Sequence, residues 1–270
     1  MEVTYIWINP VVEQMYEEYV LDQFLKRHGL ERVRCRTDWG RIVKEKYIRL
    51  ITEGGETVMD ARCPMACGLV KEWAEDKSSC ENSGPLKVNE QMEGYSMKIA
   101  DIEPILIHCA REICSRQELK DGRKIITTPC QALADMGNSL KLYNTRFFSW
   151  NSFLETLGER PEGNVPEFSP IPPGFFRELG QRTMSLTGRE SIEQCVQDGS
   201  WQRVRLVEML YCRDGCHNGD GVQMKHRMKR AAAPLAGIGA VVLVWYMVSR
   251  LGLLSAYVLP PPSKVWSSFI

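Results

Sequence analysis

The chain has no excess of charge of either sign: 34 Lys and Arg offset 34 Asp and Glu in 270 residues. No global electrostatic argument therefore points to nucleic acid as a partner. Internal repeats, long low-complexity tracts and compact Cys-x-x-Cys pairs are all missing. The opening residues also lack a basic segment followed by an apolar one, and Glu13, Glu17, Glu18 and Asp22 follow soon after. Without an export signal the soluble part is expected to keep its thiols reduced. Its ten cysteines then point to metal binding or burial rather than to disulfides.

What is present is an alternation of strand-like and helix-like segments. Residues 3–8 are short and β-rich and end at Asn9-Pro10. Residues 11–27 place Val12, Met15, Tyr16, Tyr19, Val20 and Leu25 near helical spacing, and His28-Gly29 supplies a stop. A helical pattern over 42–51 and a strand over 57–62 lead into Cys63-Pro64, after which Leu69, Val70 and Trp73 suggest another helix. Residues 76–94 read as loop. Residues 101–119 read as a helix with Pro104 in its first turn and Cys109 packed on its apolar stripe. A strand over 124–128 ends at Pro129-Cys130, a short helix starts at Gln131, and a strand over 146–150 precedes a helix capped by Asn151. The expected class is α/β with a partly parallel sheet and cysteine-bearing loops at strand ends.

Cysteines beside Pro or Gly follow three of these strand-like runs: Cys63, Cys130, and the pair Cys212 and Cys216. Strand ends of a parallel sheet gather on one edge, where ligands bind. Four thiolates from three loops suit a cubane iron–sulfur cluster, with structural zinc as the alternative and a metal-free domain of buried cysteines as the third reading. Cys67, one helical turn beyond Cys63, is the substitute ligand. Cys35, Cys80, Cys114 and Cys195 carry no motif and read as structural thiols. His217 reads as a solvent-facing turn residue or a hydrogen-bond donor to a cluster sulfur.

The run Glu208-Met209-Leu210-Tyr211-Cys212-Arg213-Asp214-Gly215-Cys216-His217-Asn218-Gly219-Asp220-Gly221 resembles the last cluster-binding motif of the large subunit of iron-only hydrogenases. That motif is Glu-x-Met-x-Cys-Pro-Gly-Gly-Cys followed by glycines. Arg62-Cys63-Pro64 is similar to the family's first motif, Ser-Cys-Cys-Pro. Thr128-Pro129-Cys130-Gln131-Ala132 is similar to the second, Met-Pro-Cys-Thr-Ala-Lys-Lys. The resemblance spans 57–222 in the right order. It implies that Cys63, Cys130, Cys212 and Cys216 hold a [4Fe-4S] cluster, with Cys216 bridging to a two-iron subsite in the family. The departures touch catalysis. The proton-relaying cysteine falls on Arg62, the lysine at the two-iron site on Leu133, and the motif methionine on Leu210, with Met209 displaced by one. Pro and Gly after the third ligand are Arg213 and Asp214. The family's accessory ferredoxin-like segment has no counterpart upstream. Retained ligands with lost surroundings imply a structural or redox-sensing cluster without the two-iron subsite. An active hydrogenase-like oxidoreductase is the alternative.

The last 40 residues differ in composition. Lys225, Arg227, Lys229 and Arg230 precede the uncharged run 231–248. At about 1.5 Å per residue this run nearly crosses a hydrocarbon core of roughly 30 Å. A transmembrane helix is expected there, with residues 1–222 on the cytoplasmic side and 223–230 as a basic linker. Trp245, Ser249 and the segment Leu259-Pro260-Pro261-Pro262-Ser263-Lys264-Val265-Trp266 resemble the start of an ABC importer permease of the nitrate, sulfonate and taurine type. That resemblance implies a truncated permease in 231–270, in the cytoplasmic membrane, with an ATPase and a solute-binding protein as partners.

Overall fold

A computed structural model describes residues 3–80, 96–160 and 163–223, together with Met247. The chain divides into two compact units, Met1–Gln223 and Met224–Ile270. The first is built on two four-stranded sheets, not the single partly parallel sheet expected. One has the order β2 (Leu30–Arg32), β1 (Thr4–Trp7), β5 (Arg123–Thr128), β6 (Thr145–Ser149); the other β4 (Met97–Ile99), β3 (Thr57–Met59), β8 (Leu206–Leu210), β7 (Thr183–Thr187). Every strand pair is parallel. The chain completes neither sheet in one pass: β1 and β2 enter the first sheet, β3 and β4 the second, and the next two pairs repeat the alternation.

Helices cover both faces of each sheet, as parallel strands require. In the first sheet Trp7, Ile126 and Phe147 point one way, toward α5 (Ile105–Ser115) and α6 (Gln131–Ser139). Ile6 and Ile125 point the other way, toward α1 (Pro10–Met15), α2 (Glu18–Arg27) and α7 (Trp150–Thr156). The second sheet packs Met59, Val207 and Met209 under α4 (Pro64–Cys80) and α8 (Arg189–Asp198). Its opposite face sets Val58 and Leu206 against Val43, Tyr47 and Ile51 of α3 (Trp39–Glu53). The period-2 alternation of the strands divides their side chains between these layers.

The expected helix over 11–27 is two helices. Tyr16 is extended (φ −132°, ψ 150°), and its hydroxyl accepts from Trp150 Nε1 at 3.2 Å while the rings meet edge to face. Among the described residues no helix is long and apolar enough to cross a membrane. The longest, α4, carries Lys71, Glu72, Glu75, Asp76 and Lys77. This corrects the fold and the membrane character expected from the sequence: the described fold is α/β on two parallel sheets, with no membrane-crossing helix. The run 231–248 that prompted the expectation lies outside the described residues.

Candidate cysteine site

The cysteines singled out in the sequence follow the inner strands. Cys63 sits four residues after β3 and immediately before α4. Cys130 occupies the N-cap of α6, two residues after β5. Cys212 and Cys216 follow β8, which lies beside β3 in the second sheet. One sheet thus contributes Cys130 and the other the remaining three. Each of the four sulfurs lies within electrostatic range of the other three.

Hydrogen bonds stitch the last loop to the Cys130 segment. Gly221 N donates to Pro129 O at 3.1 Å, and Gln131 N donates to Asp220 Oδ1 at 3.0 Å. Asn151 N donates to Gly221 O at 2.8 Å. A Cβ at Gly219 would run into the Pro129 carbonyl, so glycine lets the two backbones close on each other. Asp214 stands where the resembled motif has glycine, yet its φ of 61° is left-handed. Asp is among the few side chains that tolerate this.

Burial dominates the chemistry of these thiols. It pushes Cys130 and Cys212 up to about 12, raises Cys63, and raises Cys216 well above the ordinary thiol value. Opposing it, the backbone amides of Tyr211, Ala66 and Met65 face the Cys63 sulfur, and that of Leu133 faces Cys130. The pocket therefore keeps neutral thiols when nothing positive is bound, and carries donors suited to thiolates when something is.

Beside Cys63 lies a buried charge cluster that the sequence reading missed. Arg62 donates from Nε and Nη2 to the Asp60 carboxylate at 2.7–3.1 Å and from Nη2 to Glu208 Oε1 at 2.8 Å. Glu208 also accepts from Gly174 N and Phe175 N, and Tyr47 OH donates to Asp60 Oδ1 at 2.9 Å. The guanidinium stacks under Phe175 and Phe176, 4.2 and 4.7 Å from the ring centroids. Burial alone would lower its pKa, but the two carboxylates outweigh that and hold it above the usual arginine value. Arg62 is a fixed cation and cannot relay protons. The signal was an acidic side chain at 60 two residues before an arginine at the end of a buried strand.

Leu133 is buried in the apolar core under α5 and α6, Leu210 is buried, and Met209 packs under α4 and α8. His217 is buried, contrary to the solvent-facing reading. Its Nε2 meets Asn218 Nδ2 at 3.1 Å. An amide nitrogen can only donate, so assigning that contact as a hydrogen bond places the imidazole proton on Nδ1. Nδ1 is buried with no partner among the described residues. Cys67 lies one turn into α4, and its thiol donates to Asp60 O at 3.5 Å.

Among the described residues no group of three or more His, Cys, Asp or Glu side chains stands close enough to hold a metal ion. This corrects the metal-binding, iron–sulfur character expected from the sequence: the described residues present no ready ligand group for it. A tetrahedral shell for one ion needs sulfurs on the order of 4 Å apart around a shared centre. Four neutral, half-buried thiols have no charge to draw them that close. No protein-family model matches the chain, and no curated protein matches it.

Proposed function

We propose that Met1–Gln223 is a four-thiolate cofactor domain in which Cys63, Cys130, Cys212 and Cys216 hold a [4Fe-4S] cluster for structure or redox sensing. The observation that carries this reading is the convergence of these four half-buried cysteines, from three loops and two sheets, on one region. A polynuclear cluster presents its irons at separate corners, so its thiolates stand further apart than those around a single ion. A bound cluster supplies a one-electron couple tuned by burial and by hydrogen bonds to its sulfurs. The chain's own part is to enclose and orient: amides face Cys63 and Cys130, and His217 holds an unpaired N–H next to Cys216. Arg62 and Leu133 favour this use over hydrogen turnover. A paired guanidinium and an isobutyl group offer no proton path.

Anaerobic reconstitution of the full chain with iron and sulfide tests the reading. Stoichiometric iron and acid-labile sulfide are expected, falling to background in Cys130→Ser and Cys216→Ser, with no hydrogen-dependent dye reduction. Zinc uptake without sulfide, or iron loading indifferent to Cys216→Ser, would sink it.

A further inference from the structure

A second thiol pair lies in the apolar core between the first sheet and α5, and it is independent of the four-cysteine site. Cys109 is buried on α5, and the half-buried Cys35 lies in the segment between β2 and α3, packed against the same core. The two thiols lie within interaction range of each other, and Trp7 packs in the same core.

Glu112 of α5 and Arg116, the residue that caps its C-terminus, clamp this juxtaposition. Glu112 Oε1 accepts from Arg36 N at 2.7 Å, and its Oε2 accepts from Trp39 Nε1 at 2.8 Å and from Thr37 N at 3.3 Å. Arg116 Nη1 donates to Arg34 O at 2.9 Å. Positions 109 and 112 share one face of α5 and Arg116 follows at its C-terminal end, so the clamp holds residues 34–39 against the helix that carries Cys109. Trp39 completes the seat by stacking on His108, 5.0 Å between centroids and 11° between planes.

The geometry points to Cys35 and Cys109 as a redox-closable dithiol that ties the segment before α3 to α5. The oxidant is a small-molecule disulfide. The Cys35 thiolate attacks one of its sulfurs and displaces the first small thiolate, leaving a mixed disulfide. Cys109, giving its proton to that thiolate, attacks the Cys35 sulfur and displaces the second. Two protein thiols are oxidised, one disulfide is reduced, and both protons leave on the small thiols. Cys35 goes first because it is the more accessible of the two. The Cys109 thiol proton and the Arg116 charge also favour its thiolate.

The test treats the reduced full chain with oxidised glutathione, blocks free thiols by alkylation and maps the digest by mass spectrometry without reduction. The peptides holding Cys35 and Cys109 are expected as one cross-linked species, and alkylation at both positions is expected to be lost. Cys109→Ser is expected to stall Cys35 as the glutathione adduct, and Cys35→Ser to leave Cys109 unmodified. Should Cys109→Ser fail to fold, the wild-type map and Cys35→Ser still decide. A wild-type chain with Cys35 glutathionylated and Cys109 alkylated, or with both alkylated, overturns the proposal. Iron loading is measured on other residues, so its failure is read separately.

Discussion

Arg62 is held by chemistry that only arginine supplies. Its fork spans Asp60 and reaches Glu208, and its flat face lies under Phe175 and Phe176. Arg62→Ala leaves two buried carboxylates facing each other without a cation, and breaking a buried pair in this way costs about 3–5 kcal/mol. Arg62→Lys keeps the charge but loses the second Asp60 contact and the stacking, so its loss is expected to be smaller. Urea denaturation of the full chain measures both. A change in Arg62→Ala no larger than that of an exposed arginine would show that the cluster does not stabilise the fold. At this scale the sequence is legible where residues carry a motif: Cys63, Cys130, Cys212 and Cys216 all reach one region. It is silent about Tyr47 and Asp60, because a single Tyr or Asp has no pattern. Their partnership exists only after α3 packs on the end of β3.

Among the elements, α5 links the first sheet to the segment that opens α3, and Glu112 makes the joint. Burial raises its pKa, but hydrogen bonds from Arg36, Thr37 and Trp39 outweigh that and hold the carboxyl below the usual range. A depressed carboxyl contributes stability above its unfolded value, about 4.3, and loses it as pH falls through the folded value. Glu112→Gln is therefore expected to cost roughly 1 kcal/mol near neutrality, at the low end for charged hydrogen bonds because the residue is only half-buried. The gap between wild type and variant is expected to close below about pH 4, as read by denaturant titration at several pH values. A gap that persisted in acid would assign the effect to the side chain's shape. Elements with strong periodicity were legible: β1, α3, β5, α6 and β6 fall near their expected places. The three-residue strands β2 and β4 are too short to carry a pattern. β7 and α8 follow the proline-rich 160–174 region, and the half-buried side chains of β7 give weak alternation. The number of sheets was not legible either, since periodicity says which face is apolar and not which strands pair.

The alternation of the chain between two sheets has a consequence for the whole unit. Because β1, β2, β5 and β6 build one sheet and the other four strands the second, the proposed cofactor would draw on both. Cys130 is the first sheet's sole contribution to the four. A ligand that binds the folded state alone raises stability by mass action, and here binding must also deprotonate thiols that burial keeps neutral. Cluster loading is therefore expected to raise the Tm of the full chain, with the gain shrinking as pH falls because protons compete for the sulfurs. Cys130→Ser is expected to abolish the rise while leaving the apo Tm within a few degrees, since the serine oxygen keeps an acceptor for the Leu133 amide that faces the sulfur. Scanning calorimetry of apo and reconstituted protein under argon measures both. If Cys130→Ser kept the full stabilisation, a cluster would be held by the second sheet's three cysteines alone. The last loop's stitching to Pro129 and Gln131 would then serve packing and not the cofactor.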